Sequence, residues 1–322
     1  MKKKNKNKRK LKIDDTLELE IDEDEEDEEE EEEIEEVKKK SHKVLNFFIF
    51  LTLIVILIFF YSKYVGTDGL IVKEYRIESK ILTKNYDSLK IVHFSDLLYK
   101  STIKHAELKN LVNRINELNP DIVVFTGDLV NKNIKINEED AINIENELTK
   151  INASIGKYAI YGDADFKLDN YEEIITNSGF KLLNNSYDEI FNKTNDPLYI
   201  VGLPSSIKET IDLNESFKFY NEEDRRYIIV LVHDGNTIKY IDESNYEVDL
   251  ILGGHSLNGS VVIPFYGGIL KEPNTYKYSK PEYEKGITKI YISSGLGTND
   301  YEYRFLNKPS FNFYRLKSID ND

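Results

Sequence analysis

The sequence predicts a mixed α/β domain over residues 70–317, carried behind one membrane-spanning helix and a charged tail. Three observations predict it. Beyond Gly69, short apolar runs alternate with amphipathic segments; Val44 to Tyr61 is almost unbroken in its apolarity; and the residues before it are nearly all charged or polar.

The tail comes first. Residues 1–43 carry 12 Lys or Arg against 18 Asp or Glu, with an unbroken acidic run from Asp22 to Glu33. Like charges in blocks repel one another and favour solvation over packing, so this segment reads as a disordered cytoplasmic spacer, its partners unreadable.

Only Asn46 and Thr52, with Tyr61 at the end, interrupt the aliphatic and aromatic residues of Val44 to Tyr61. As a helix rising about 1.5 Å per residue it spans about 27 Å, close to the hydrocarbon thickness of a bilayer. A helix apolar on every side has no solvent face, which suits lipid better than a soluble core. Lys38, Lys39, Lys40 and Lys43 precede it and only Lys63 follows closely. The lysine-rich side stays cytoplasmic, so residues 44–62 read as an uncleaved signal anchor in the cytoplasmic membrane, single-pass, with the N-terminus inside and the C-terminal domain outside.

Within the domain, Leu89 to Ser95 reads as a strand, Lys104 to Leu118 as a helix with apolar residues at helical spacing and Ser101 or Thr102 as its cap, and Asp121 to Thr126 as a second strand. That is a βαβ unit. Further strands are expected at Lys157 to Tyr161, Leu198 to Gly202, Tyr227 to Val232, Leu250 to Leu252, Val261 to Phe265, Lys289 to Ser293 and Ser310 to Leu316. Helices are expected at Glu138 to Lys150, Tyr171 to Asn177 and Asn236 to Glu243.

Composition restricts the chemistry. The formal charge of −15 is negative in both the tail and the domain, which disfavours binding a nucleic-acid backbone. With no Cys there is no thiolate nucleophile, disulfide or sulfur-ligated metal, so any metal rests on His, Asp, Glu or Asn. Such residues gather at five strand ends: Asp96, Asp128, Asp163 with Asp165, His233 with Asp234, and His255. Ligand sites of open α/β sheets lie at this edge, and these oxygen and imidazole donors suit Mn, Fe or Zn.

In order and spacing the clusters resemble the calcineurin-like metallophosphoesterase family, in particular its membrane-associated bacterial branch. That family carries D-x-H, G-D, G-N-H-[DE], a strand-ending His and G-H-x-H. Here Asp96 opens the first block, Gly127-Asp128 is the second, Gly162 to Asp165 the third, His233 the fourth and His255 the fifth. Flanks without ligands agree too, among them Val261 to Phe265 and Ser294 to Thr298. The resemblance implies a four-layer α/β/β/α sandwich with two adjacent metal ions at one edge, bridged by a hydroxide that attacks a phosphorus ester.

Three family histidines are absent. Leu98, Ala164 and Leu257 stand in their places, and Asp163 replaces the Asn. Through the resemblance, one metal position keeps only Asp96 and bridging Asp128, while the other keeps Asp128, Asp163, His233 and His255. The cofactor expected is therefore one divalent metal ion, Mn, Fe or Zn, the alternative being none, with the second site lost. Ala164 occupies the position of the leaving-group His and can donate no proton. These losses imply a catalytically impaired member or pseudoenzyme. The alternatives are an active phosphodiesterase acting on a lipid-linked or cell-surface phosphoester, and a module that binds a phospholigand without turnover. Leu98 and Leu257 are expected to face water and carboxylates, and His93 to be a satisfied interior imidazole or one that supports the ligands; Tyr99 and His105 lie close enough in sequence to Leu98 to be candidate substitute ligands, though neither is favoured, and Arg304 reads first as half of a surface ion pair and second as a bidentate donor to substrate phosphate.

Overall fold

The computed structural model describes residues 8–14, 17–275 and 277–319, with side chains from residue 34 onward. The chain divides into two units, 1–59 and 60–322.

In the first unit, β1 (Lys8–Asp14) pairs antiparallel with β2 (Leu17–Asp22), and the register sets Lys8, Lys10 and Lys12 opposite Asp22, Glu20 and Glu18. Helix α1 (Glu23–Phe60) then takes in both the acidic run and the apolar segment. The tail expected to be structureless thus differs over its described part, and residues 1–7, 15 and 16 lie outside the described residues. Lys39 and Lys40 pair with Glu35 and Glu36 one turn earlier, at 3.0 and 3.3 Å, a spacing that supports the helix across the charge boundary. Among the described residues one helix is long and apolar enough to cross a membrane, with a mean hydropathy of 2.8.

The second unit opens with a π-helical turn at Tyr61–Val65. There follow β3 (Ile71–Ser79), β4 (Lys90–Phe94), α2 (His105–Glu117), β5 (Ile122–Phe125), α3 (Glu138–Thr149), β6 (Gly156–Ala159), α4 (Tyr171–Asn177), β7 (Lys181–Leu182), β8 (Ser186–Ile190) and β9 (Leu198–Gly202). After these come α5 (Leu213–Ser216), β10 (Ile228–Leu231), α6 (Ile238–Asp242), β11 (Leu250–Gly253), β12 (Val262–Ile263), β13 (Gly267–Gly268), β14 (Glu282–Lys285), β15 (Thr288–Ile292) and β16 (Ser310–Ser318). Two six-stranded sheets result, in the orders β3-β16-β4-β5-β6-β7 and β14-β15-β11-β10-β9-β8.

Alternation along the strands makes the layers. Ile91, Ile122 and Val124 from the first sheet meet Ile200, Ile229, Leu231, Leu250 and Leu252 from the second, forming the core between the sheets. Their strand neighbours Val92, Phe94, Val123 and Phe125 point the other way, under Leu108, Leu111, Val112 and Ile115 of α2 and under α3 and α4. On the far side Val201, Ile228, Val230 and Ile251 pack beneath Phe217, Ile238 and Ile241. Three apolar interfaces define the expected four layers, α/β/β/α.

Some local expectations fail. Lys104, not Ser101 or Thr102, is the N-cap of α2, and Glu107 accepts its amide at 2.9 Å; the Ser101 hydroxyl instead donates to the Leu98 carbonyl. Val261 to Phe265 is not a core strand. Its two strand residues turn back at once on β13, and Phe265 is fully exposed, because Pro264 cannot donate to a ladder and starts a turn.

Candidate metal centre

Four of the five strand-end clusters meet. The donor atoms of Asp128, Asp163, His233 and His255 all lie within 4.8 Å of one another, at the end of the sandwich where β5, β6, β10 and β11 finish. Tight loops bring them there. Asp128 follows Gly127, and both take positive φ, 60° and 90°. Gly162 is indispensable at the crossing of β6: a Cβ there would stand 2.3 Å from Asp128 Oδ1 and 2.9 Å from His233 Cε1.

Each imidazole is oriented through its other nitrogen. His233 Nδ1 donates to the Thr126 carbonyl at 2.7 Å, which leaves Nε2 to face Asp163 Oδ1 at 3.1 Å and Asp128 Oδ2 at 3.5 Å. His255 Nε2 donates to the Pro273 carbonyl at 2.7 Å, leaving Nδ1 3.3 Å from Asp163 Oδ1. Carbonyl-fixed tautomers of this kind are characteristic of metal-ligating histidine. Burial opposes charging both rings, but the carboxylates outweigh it and raise both pKa values, Asp128 dominating at His233 and Asp163 at His255. Burial likewise disfavours ionised Asp163, yet hydrogen bonds from His233 and His255 hold it well below the usual carboxylate range. A divalent cation would satisfy the same carboxylates, and the donor set fits one: two oxygen and two nitrogen ligands.

Asp96 lies outside this cluster. Its Oδ2 accepts the Ser95 hydroxyl at 2.5 Å and the His255 amide at 3.1 Å, whereas Oδ1 is buried with no hydrogen-bond partner. Burial first, and the Asp128 charge after it, raise its pKa. Asp96 Oδ1 is thus an orphaned buried carboxylate oxygen beside the cluster, an arrangement that is costly unless something pairs with it.

Leu98 and Leu257, expected to face water, are fully buried. Both hold positive φ, 46° and 50°, a region in which histidine is enriched and leucine is not. Neither proposed substitute ligand reaches the gap. The Tyr99 phenol is raised by burial and then by Asp140, Glu107 and Glu139, which are residues of α2 and α3, and His105 pairs with Glu147 at 3.6 Å. Ala164 is buried and contributes its amide to Asp128 Oδ1 at 2.9 Å. Arg304 requires a correction: its guanidinium is wholly buried and donates to the carbonyls of Ser294, Gly295, Gly297 and Asn307, so it clamps the Ser294 to Thr298 loop instead of meeting a phosphate. His93 is interior as expected, with Nε2 3.0 Å from Thr126 Oγ1 and Nδ1 3.4 Å from the Tyr314 hydroxyl.

Sequence reading named Asp165 without giving it a role. It is buried and accepts the amides of Asp128, Leu129 and Gly162, each at 2.8 Å. Burial, then the Asp128 charge, push it up to about 7 against those three donors. Its position two residues after the candidate donor Asp163 was the only available signal.

A buried site of two carboxylates and two imidazoles, at the strand-end edge of a double-sheet sandwich, defines a hydrolase-type divalent-metal fold. Residues 89–259 match the calcineurin-like phosphoesterases, and the chain belongs to that family. It is 31% identical over 263 residues to an uncharacterized metallophosphoesterase, YkuE, of Bacillus subtilis (strain 168), covering 81% of this chain and 90% of that protein. A Danio rerio transmembrane protein with a metallophosphoesterase domain is 23% identical, over 73% of this chain and 55% of its own length. The UDP-2,3-diacylglucosamine pyrophosphatase LpxG of Chlamydia muridarum (strain MoPn / Nigg) is 23% identical, over 65% of this chain and 78% of its own.

Proposed function

We propose that this chain is a membrane-anchored metallophosphoesterase-family protein that holds one divalent cation and is catalytically impaired. The observation that carries the reading is the burial of Leu98 and Leu257 where the first cation's imidazoles belong, together with Ala164 in place of the leaving-group histidine. Asp128, Asp163, His233 and His255 would hold the cation. When bound, it supplies Lewis-acid polarisation of a phosphoryl oxygen. Thr126 and Pro273 keep both imidazoles in the ligating tautomer, and Asp165 braces the Asp128 turn. With Leu98 and Leu257 at the first cation's position and Ala164 in place of the leaving-group histidine, none of the described side chains at those positions replaces the second positive centre or the lost proton donor. Loss of one such positioned group typically costs about a hundredfold or more in rate.

A second reading keeps activity: a phosphodiesterase acting on a lipid-linked phosphoester. The pyrophosphatase relatives, whose named substrate carries acyl chains, and the apolar helix favour it. In both readings the lysines before Val44 leave the domain outside the membrane. Metal analysis after dialysis, with hydrolysis of an aryl phosphodiester, separates them. The impaired reading expects about one tightly held ion per chain and hydrolysis at least about a hundredfold below active family members. Two ions, or ordinary activity, would overturn it.

A further inference from the structure

Among the described residues, the most exposed aromatic side chains of the domain stand at the tip of one short hairpin, Ser260 to Leu270. In it Val262 and Ile263 pair with Gly268 and Gly267, and the base is closed by the Ser260 amide to the Leu270 carbonyl and the Ile269 amide to the Val261 carbonyl, both at 2.8 Å. Phe265 is completely exposed and Tyr266 is 78% exposed, with Ile263 and Ile269 beneath them also open. No Asp, Glu, Lys or Arg occurs from Ser260 to Leu270, in a chain that is 31% charged.

The turn itself is costly. The Tyr266 amide donates to the Ile263 carbonyl at 3.1 Å, Pro264 is the first central residue and Phe265, the second, has φ of 67°. That is the pattern of a type II turn, whose second central position is normally glycine, and a bulky residue there is strained. Two glycines follow immediately, yet the strained position carries an aromatic side chain aimed at solvent.

Within the second unit the hairpin is tied, through Phe305 and Arg304, to Tyr61 and Ser62. Its strand donates from the Val262 amide to the Phe305 carbonyl at 2.9 Å, and the Phe305 amide donates back to Ser260 at 3.0 Å. The Phe305 ring packs edge-on against Tyr61 at 5.8 Å, and the Arg304 amide donates to the Ser62 carbonyl at 2.9 Å. Tyr61 is the last residue of the apolar run. Around it Tyr64, Val65 and Leu306 are exposed as well. Aromatic and aliphatic side chains gathered at the end of a span match the composition of a membrane interface.

From these contacts we infer that the Ser260 to Leu270 hairpin is an interfacial membrane wedge, Phe265 and Tyr266 entering the headgroup and upper acyl region of the leaflet on the domain's side. This rests on the reading that Val44 to Tyr61 spans the bilayer. Both ends of the hairpin lead to the metal centre: His255 lies five residues before Ser260, and its Nε2 donates to Pro273, three residues after Leu270. Seating the tip in lipid therefore holds the His255 loop at the membrane surface, where a phosphoester carried on a lipid presents its headgroup. It gives the site a lipid-borne substrate class, not a freely soluble one.

The chain contains no Trp, so one introduced Trp reports alone. Full-length F265W is reconstituted in phosphatidylcholine–phosphatidylglycerol vesicles containing lipids brominated close to the glycerol end of the acyl chain. F50W, inside the apolar segment, reports the span with lipids brominated deeper in the chain, and Y240W on the exposed face of α6 reports the domain surface. We expect F265W emission to shift to the blue and to lose more than about half its intensity to the shallow bromines, with Y240W unaffected. A quenched F50W beside an unquenched, red-emitting F265W would overturn the wedge and leave the span standing. Failure of both to quench would overturn the anchoring reading and the wedge with it. An F265W that is blue-shifted, unquenched and accompanied by a doubled particle mass would assign the tip to a second copy of the chain, and overturn the wedge.

Discussion

The Asp165 carboxylate accepts the amide of Asp128 through Oδ2 at 2.8 Å, while its Oδ1 takes the next amide, that of Leu129, at the same distance. A carboxylate outside the four clustered donors thereby fixes the turn that presents one of them, Asp128. Asp165→Asn keeps the shape but turns an NH2 group toward amide donors. Outer-sphere losses of this kind cost about 10- to 100-fold in metal affinity. Calorimetric titration with Mn should show that weakening with the stoichiometry unchanged; an unaltered affinity would remove Asp165 from the site.

Restoring the missing groups tests the impairment directly. Leu98→His, Leu257→His and Ala164→His together should yield two bound ions and raise Mn-stimulated phosphodiesterase activity by at least about a hundredfold over the parent, with neither leucine change alone sufficient, since groups acting as a unit are non-additive. Burial of both leucines means the added polarity has a stability cost, partly offset because histidine accepts positive φ more readily than leucine. A folded variant that binds two ions and stays inert would move the cause of inactivity to the substrate path.

Acid should unfold the domain through His93. Burial depresses this imidazole from 6.5 to about 3. Between those values the unfolded chain takes up a proton that the folded chain refuses, so the stabilisation present above pH 6.5 is lost as pH falls toward 3, at up to about 1.4 kcal/mol per pH unit. Denaturant melts at successive pH values should show this slope, and His93→Gln should flatten it. An identical slope in the variant would assign the acid sensitivity elsewhere.

Orientation follows from the lysines. If Lys38, Lys39, Lys40 and Lys43 keep the N-terminal side inside, as proposed, protease added to intact cells should remove the domain and spare the tail. Digestion of the tail with a protected domain would reverse the assignment.

What could be read before the fold was known was whatever is local. The strands that end in Asp96, Asp128, His233 and His255 announce themselves as apolar runs stopped by a polar residue, and their layering follows from alternation. Strand β3 was missed because its sequence, IVKEYRIES, is charged and pairs over nine residues with β16, a partner far along the chain. Arg304 was misread for the converse reason: charge suggests exposure, and only the fold reveals four carbonyls closing around it. The polar identity of Asp165 was visible, but the three amides it collects come from two separate loops.

The pairing of β3 with β16, Ile71 beside Ser310 through to Ser79 beside Ser318, also dictates an order of assembly. The first strand of the domain to leave the ribosome is hydrogen-bonded only to the last. Until β16 emerges, β3 is an open edge, and the neighbouring ladder between β16 and β4 is open as well. Closure across so many residues is slow compared with local helix and hairpin formation. The domain therefore completes its sheet only once Ser310–Ser318 has been synthesised, and a chain without β16 leaves the facing edges of β3 and β4 bare for aggregation or proteolysis.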